Sequence, residues 1–316
     1  MPLAARVTDL TTHGFPLLPG IGSTNVMIGS LPAWRTLMDI HACLAVSISG
    51  ADGPGTVLVG SPTVMINSMM ACRVMDIVVE VPGLAMGPMD PIAMGCENVE
   101  IGGPTVPGAT MALLLALLQT GGSADRTDLG LVAQQLVMMP PGMLQTMVNQ
   151  NQHVVVCRGS ITDYRTDLKG VQPRGWPPGS TWDSVPGVYN PDRKEVVIAV
   201  IGHGTPDGPH VPQTGEGHGS SNMVLHESTH AVDDAPGGDR SATDPNFIAA
   251  RNADLATLPP YESQGGTAGP EETYAESSAR YHSGDPTDAA NHPNLNKYWA
   301  GNPVGNPAPA GGSGSP

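Results

Sequence analysis

The first hundred residues alternate apolar and polar positions in short runs, and one such run occurs three times. The copies are G-S-T-N-V-M-I at 22–28, G-S-P-T-V-M-I at 60–66 and G-C-E-N-V-E-I at 95–101. Each copy starts at a glycine turn, continues as a strand of period two and leads into a second short strand. Repeats at this spacing predict stacked or pseudosymmetric β units, and hence an all-β N-terminal domain.

The rest of the chain carries longer patterns of helix and buried strand. Residues 111–119 and 128–139 have helical spacing of apolar positions, and the second pattern ends at Pro140, since a helix interior does not tolerate proline. The apolar runs 154–156 and 196–201 are typical of buried strands. We therefore predict a multidomain fold with an all-β N-terminal part, a short helical middle segment and an α+β C-terminal domain.

One motif in the C-terminal half predicts a metal site: H-E-S-T-H at 226–230. On a helix, residues four apart share a face, so His226 and His230 can bind one zinc ion from the same side. Glu227 lies on nearly that face and can act as general base toward a water that zinc has made more acidic. The polar residues 220–222 are good N-caps, which supports a helix across the motif.

The third ligand of a catalytic zinc site must come from elsewhere, because such sites usually have three protein ligands. Residues 271–281 have the composition of a helix, and Pro270 suits its start. Glu272 and Glu276 are four apart and can face the same way. One of them could bind zinc while the other holds a ligand histidine in place. The alternative is that both belong to a solvated acidic face.

The segments H-E-S-T-H-A-V-D-D at 226–234 and E-T-Y-A-E at 272–276 resemble the zinc peptidase domain of anthrax lethal factor and its relatives. The resemblance implies a zincin-like fold in which Glu272 is the third zinc ligand. It also implies a tyrosine that assists the oxyanion. Tyr261 is the nearest match, at a longer spacing from Glu272 than in the family. Strand 196–201 is expected to form one wall of the substrate cleft.

Four residues of the first hundred are candidate ligands for a second, structural metal ion: His13, His41, Cys43 and Cys96. Aromatic residues make up only 4% of the chain, which argues against a thick core. A small β-repeat unit then needs an additional source of stability, such as a bound metal ion. Tetrahedral zinc accepts histidine and cysteine ligands. Each residue taken alone could instead be a buried cysteine or a loop histidine.

The segments P-L-A-A-R-V-T-D at 2–9 and T-H-G at 12–14, together with the three repeats, resemble a PAAR domain. PAAR domains form a zinc-stapled β cone that sharpens the trimeric spike of the type VI secretion system. The resemblance covers residues 1–103 and implies a trimeric spike protein of the VgrG type as partner. His13 matches the histidine of the family's T-x-H-G segment.

Charge and composition limit the possible partners of the protein and the compartment in which it is made. The net charge of −15 and pI of about 4.8 disfavour nucleic acid and anionic membranes as partners. The longest apolar run, 111–118, is too short for a membrane span, and residues 1–6 lack the apolar core of a signal peptide. We expect a protein made in the bacterial cytoplasm. The four cysteines form no C-x-x-C pair, so no disulfide framework is predicted.

Residue 150 is the expected main boundary, because 15 of the 16 methionines precede it and ten of the 12 aromatic residues follow it. We predict a PAAR-like domain at 1–103, a helical segment at 104–150, a metallopeptidase domain at 151–300 and a disordered tail at 301–316. The middle segment is either a small packed bundle or a Met-rich clamp for a chaperone or adaptor.

The predicted function is that of a type VI secretion effector whose C-terminal domain is a zinc metallopeptidase toxin. Secretion would carry it into the periplasm or cytoplasm of a target cell, and the producing cell would need an immunity protein. Its substrate would be a peptide or protein. One alternative is a structural spike-tip protein with a non-catalytic zinc site. Another is an amidase acting on cell-wall peptides, since the motif activates water against any amide.

Overall fold

The computed structural model describes residues 1–18, 22–173, 179–236, 238–301 and 304. The chain divides into two compact units, Met1–Ala112 and Leu113–Pro316. Most of the tail predicted to be disordered, 301–316, lies outside the described residues. Among the described residues, no helix has both the length and the apolarity needed to cross a bilayer.

The first unit consists of short antiparallel strands. The strands are β1 (Leu3–Ala4), β2 (Met27–Ile28), β3 (Leu31–Pro32), β4 (His41–Ala42), β5 (Val46–Ser47), β6 (Gly50–Ala51), β7 (Pro54–Val57), β8 (Met65–Ile66), β9 (Met69–Met70), β10 (Ile77–Glu80), β11 (Met89–Pro91) and β12 (Cys96–Glu100). Four of them form one sheet in the order β11-β10-β7-β4, while β2–β3, β5–β6 and β8–β9 are hairpins and β1 pairs with β12.

Backbone hydrogen bonds join the repeated segments of the first unit in a closed ring. Trp34 N donates to Ala5 O at 3.0 Å, Ala5 N donates to Cys72 O at 2.9 Å, and Cys72 N donates to Trp34 O at 2.9 Å. All three residues are buried in one apolar cluster. The ring gives the repeats predicted from the sequence an approximate threefold relationship.

Each member of the ring is followed by an arginine that pairs with an aspartate. In every pair the guanidinium donates to both carboxylate oxygens and the arginine backbone N donates to one of them; the pairs are Arg6–Asp9, Arg35–Asp39 and Arg73–Asp76. Bidentate pairs fix geometry as well as adding energy. The Arg73–Asp76 pair has no exposed side-chain surface. Burial raises the pKa of Asp76 to about 6 even though Arg73 opposes that shift.

The second unit is a four-stranded sheet covered by helices. Its strands are β13 (Leu118–Thr120), β14 (His153–Arg158), β15 (Gly187–Asn190) and β16 (Glu195–Val200). Its helices are α1 (Gly108–Leu117), which begins in the first unit, α2 (Arg126–Leu136), α3 (Pro141–Asn149), α4 (Ile161–Tyr164), α5 (Met223–Asp233), α6 (Arg240–Thr243), α7 (Pro245–Asp254), α8 (Pro260–Ser263), α9 (Ala268–Ser283), α10 (Asp288–Asn291) and α11 (Pro293–Ala300).

The strand order is β13-β14-β16-β15, with β15 at an edge. β13, β14 and β16 are parallel, whereas β15 runs antiparallel to β16. The valine-rich run predicted at 154–156 lies in β14, and residues 196–200 of the run predicted at 196–201 lie in β16; these residues are almost wholly buried. α5 packs against β15, β16 and α9. The sheet therefore supports the helix that carries the H-E-x-x-H motif.

The structure differs from the predicted division near residue 150. The apolar run 111–119 does not stay helical, because α1 ends at Leu117 and the chain continues as β13, which pairs in parallel register with β14. α2 contacts β13, β14 and β16. Residues 113–150 therefore belong to the second unit rather than to a separate segment. α3 starts at Pro141, where proline suits the first turn of a helix.

Candidate active site

α5 brings both motif histidines to one face, as its sequence predicts. Asn222 caps the helix by accepting a hydrogen bond from Leu225 N at 3.1 Å. Thr229 is buried and donates to Leu225 O and to Ser278 Oγ on α9. The buried face of α5 is thereby fastened to α9, and His226 and His230 face the carboxylates of that helix.

Three ligand atoms converge at this face. His226 Nε2 lies 3.2 Å from His230 Nε2 and 3.2 Å from Glu272 Oε2, and His230 Nε2 lies 3.6 Å from the same carboxylate oxygen. Glu272 Oε2 is buried and makes no hydrogen bond among the described residues. Two imidazole nitrogens facing one carboxylate oxygen match the two-histidine, one-glutamate ligand set of catalytic zinc. The residues present therefore fit a zinc ion.

Glu276 holds the far side of the His226 ring. Its Oε2 lies 3.1 Å from His226 Nδ1, and its Oε1 accepts a hydrogen bond from Ser221 N at 3.0 Å. Burial by itself would raise the pKa of Glu276, but the hydrogen bond with His226 and the contact with Ser221 lower it to about 2. A carboxylate at Nδ1 selects the tautomer whose Nε2 lone pair faces the site.

A cleft runs past these residues on both sides. One arm is a cavity of about 690 Å³ and the other is a cavity of about 540 Å³. The two share Val185, Gly187, His226, Glu227 and Tyr261. The site thus lies where the two cavities adjoin, and together they form its groove.

The cleft wall is β15, not the strand expected from the sequence. Gly187, Val188 and Tyr189 of β15 line the larger arm. The expected wall, residues 196–201, is wrong, because β16 lies between β14 and β15 and is buried. Gly187 lets β15 approach α5 closely, since a Cβ at this position would lie 2.8 Å from Met223 Sδ.

Sequence reasoning missed the contacts that fix this wall. Tyr189 donates its hydroxyl to Asp234 Oδ2 at 2.5 Å and accepts a hydrogen bond from Gln152 Nε2 at 3.0 Å. The Gln152 amide also donates to Ala231 O on α5. No local pattern could have revealed them, because the partners are far apart in the chain.

Comparisons with known proteins identify the family of the C-terminal part of the chain. Residues 123–292 match the family model described as anthrax toxin lethal factor, N- and C-terminal domain. The match spans more than half of the 316 residues. The chain belongs to this family. Members of the lethal factor family are zinc-dependent, and the homologues found for this chain support a peptidase.

Two relatives of this chain carry the name Pro-Pro endopeptidase. The one from Paenibacillus alvei is 33% identical over 170 residues, which is 52% of this chain and 71% of the relative. The one from Clostridioides difficile strain 630 is 29% identical over 176 residues, with 53% and 71% covered. The solved structure of the Paenibacillus alvei enzyme superposes with a TM-score of 0.49 at 29% identity, covering 60% of this chain and 98% of that one.

Tyr261 of this lethal-factor-family domain faces the same site. It lies on α8 and lines both arms of the cleft. Burial of the hydroxyl and the negative charge of Glu272 raise the pKa of Tyr261. The longer spacing in sequence between these two residues does not prevent both from lining the same cavity.

The first unit contains a second group of possible metal ligands, which differs from the predicted set. His13 Nδ1 lies 3.0 Å from Glu80 Oε2, 3.5 Å from Asp52 Oδ2 and 3.8 Å from Cys43 Sγ. Cys96 is not part of this group. It packs with apolar residues at the other repeats, in a cluster with Ala4, Ile28 and Ile66.

His41 faces the Glu80 carboxylate from another side, together with the carboxylate of Asp90. Its Nε2 lies 3.4 Å from Glu80 Oε1 and 3.7 Å from Asp90 Oδ2, and these three atoms are buried without a hydrogen-bond partner among the described residues. Burial and the Asp90 carboxylate raise the pKa of Glu80 to about 8. The carboxylates of Asp52, Glu80 and Asp90, which were not predicted as ligands from the sequence, therefore lie close to His13, His41 or Cys43.

Proposed function

We propose that the second unit is a zinc-dependent endopeptidase in which His226, His230 and Glu272 hold the metal. The observation that carries this proposal is the convergence of their three ligand atoms around the unpartnered Glu272 Oε2. Zinc bound there would lower the pKa of a water molecule and polarise the scissile carbonyl.

The chain's own residues supply the remaining steps. Glu227 follows a ligand histidine and lines both arms, so its carboxylate is placed to accept the proton of the attacking water. Tyr261 lines both arms of the cleft, and its hydroxyl can donate a hydrogen bond to the carbonyl oxygen as negative charge develops. Glu276 keeps His226 in the tautomer that presents Nε2.

The groove suits an internal segment of a peptide. It is open on both sides of the site, so a chain can enter and leave without ending there. β15 is an edge strand of the described sheet, and its main chain can pair with an extended peptide. Trp182, Val185 and Val188 give the larger arm an apolar wall that accommodates proline rings. We propose Pro-Pro bonds, after the names of the two relatives, as the first substrates.

The first unit would deliver the peptidase as the PAAR-like tip of a type VI secretion spike. The approximate threefold ring at Ala5, Trp34 and Cys72 supports this, since a threefold surface matches a trimer of identical chains. We propose a trimeric spike protein of the VgrG type as partner, with export into the periplasm or cytoplasm of a target cell. An immunity protein and a chaperone or adaptor would complete such a system.

We further propose that a structural zinc ion binds in the first unit at His13, Cys43, Asp52 and Glu80. All four offer ligand atoms within 4.8 Å of one another, and zinc accepts nitrogen, sulfur and carboxylate oxygen. The test is metal analysis: the intact chain should hold two zinc ions. Cys43→Ser should lose one of them while peptidase activity persists. A single zinc ion in the intact chain would refute this second site.

Peptide digestion tests the main proposal. The purified chain is incubated with a Pro-Pro peptide library and with cell-wall peptides, and the products are identified by mass spectrometry. We expect cleavage inside proline-containing peptides, loss of cleavage after chelation and recovery when zinc is restored. Cleavage of cell-wall peptides alone would favour an amidase. Bound zinc without any hydrolysis would favour the structural spike-tip protein.

A further inference from the structure

Tyr261 and its neighbour Glu262 share one helical turn and both line the smaller cavity, but they differ in exposure. Tyr261 faces the cleft and is 54% exposed, whereas Glu262 is 2% exposed. α8 spans only Pro260–Ser263 and cannot stay helical by itself. The chain then reaches α9 through a segment in which Gly266 has φ +79°. The direction of the Tyr261 side chain therefore depends on what anchors α8.

The strongest contact that holds α8 in place is made by the Glu262 carboxylate. Arg280 donates from Nη1 to Glu262 Oε1 at 2.8 Å and from Nη2 to Oε2 at 2.9 Å. Arg280 also donates from Nε to Asp288 Oδ1 at 3.0 Å, which fixes the guanidinium plane. Because Arg280 lies on α9 with Glu272 and Glu276, this bidentate pair ties the turn bearing Tyr261 to the helix bearing the proposed third ligand.

The main chain around Glu262 is held at the same place. Glu262 O accepts hydrogen bonds from Arg251 Nη2 at 2.7 Å and from Thr273 Oγ1 at 2.9 Å, and Thr273 directly follows Glu272. Beyond α8, the backbone of Gln264 packs against Gly269 at the start of α9. A Cβ on Gly269 would lie 1.9 Å from Gln264 O, so only glycine allows the contact.

We propose that Glu262 is a positioning residue, whose ion pair with Arg280 holds Tyr261 in the wall of the cleft that Glu272 also lines. This inference rests on the proposed function, in which Tyr261 donates a hydrogen bond to the developing oxyanion. Glu262 itself acts through Tyr261. Glu262 lies in the wall of the smaller cavity, but it is 2% exposed and both of its carboxylate oxygens accept hydrogen bonds from Arg280.

A double-mutant cycle on the zinc-loaded full chain tests the inference. Tyr261→Phe removes the donor and should lower kcat by about 100-fold. Glu262→Gln removes one of the two hydrogen bonds that Glu262 accepts from Arg280. It should lower kcat by at least about tenfold, with KM and zinc content unchanged. The double variant should be no slower than Tyr261→Phe alone, because a misplaced hydroxyl matters only when the hydroxyl is present. Multiplicative losses, or a change in KM alone, would overturn the proposal.

Asp254→Asn is the matched control. Asp254 is also a buried carboxylate of the second unit, but it caps α11 by accepting hydrogen bonds from Asn294 N and Leu295 N. This variant should lose stability and keep kcat. A selective kcat loss in Asp254→Asn equal to that in Glu262→Gln would show that any buried carboxylate serves, and would overturn the positioning role.

Hydrogen exchange gives a readout that does not need activity. In the metal-free protein, Glu262→Gln should raise amide exchange in residues 259–267 and leave α5 unchanged. Unchanged exchange in that segment would refute the anchor even if the chain proved to be no peptidase. Faster exchange in a chain that cleaves nothing would instead retain the anchor and refute the proposed function.

Discussion

His226 Nδ1 lies 3.1 Å from Glu276 Oε2, so one carboxylate of α9 fixes which nitrogen of the ring faces the proposed zinc position. The same helix supplies Glu272 one turn earlier, at 3.2 Å from His226 Nε2. One imidazole thus has a carboxylate of the same helix beside each of its two nitrogens. The two acids have different roles, because only Glu272 leaves an oxygen without a hydrogen-bond partner among the described residues.

The Glu276→Gln variant should bind zinc about 10- to 100-fold more weakly, since it weakens the hydrogen bond that holds His226. Competition with a chromogenic chelator measures this affinity. Glu271→Gln is the matched control, because Glu271 lies on the same helix outside the convergent group. Equal affinities for the two variants would contradict the role of Glu276.

Glu272→Ala should lose more zinc than Glu276→Gln, because it removes a ligand rather than the support of one. Metal content after dialysis against a weak chelator compares the two directly. If the Glu276 variant lost its metal while Glu272→Ala kept it, the two carboxylates would have to exchange roles.

Glu227→Gln should keep zinc and fold while kcat falls by at least about 100-fold, because the amide cannot take a proton from water. Peptide cleavage followed by mass spectrometry measures the loss, and metal analysis provides the control. Normal turnover in the folded, zinc-loaded variant would exclude Glu227 as general base.

Arg73→Ala should destabilise the first unit by about 3–5 kcal/mol, because it leaves the Asp76 carboxylate buried without its partner. Arg6→Ala removes the equivalent residue of another repeat, whose side chain is 18% exposed. That variant should cost less, since water can reach the remaining carboxylate. Calorimetry of the full chain, with separate transitions for the two units, would compare them. A larger loss for Arg6→Ala would contradict this ranking.

The proposed delivery role predicts that the first unit binds a trimeric spike protein with one copy per trimer, because three repeats in a ring would present three similar edges to three identical chains. Copurification and native mass spectrometry give the stoichiometry. Deletion of residues 1–103 should abolish export, and a truncation that retains 113–316 should keep peptidase activity. Three copies per trimer, or normal export of the truncated chain, would refute the delivery role.

Local sequence determined the parts of this protein that depend on short-range geometry. The four-residue spacing of His226 and His230 places both rings on one helical face, and Asn222 starts that helix at the predicted point. The repeats at 22–28 and 60–66 form equivalent hairpins, β2–β3 and β8–β9, because turn geometry and strand alternation are set by adjacent residues.

Only the tertiary structure decided which distant groups meet. Glu272 is 42 positions beyond His230 in the chain, and packing of α9 against α5 brings the two side chains together. In the first unit, the fold places Glu80 beside His13 and leaves Cys96 in an apolar cluster, so the four predicted ligands do not form one group. β15 became the cleft wall because strand order, which no single segment encodes, places it at the edge.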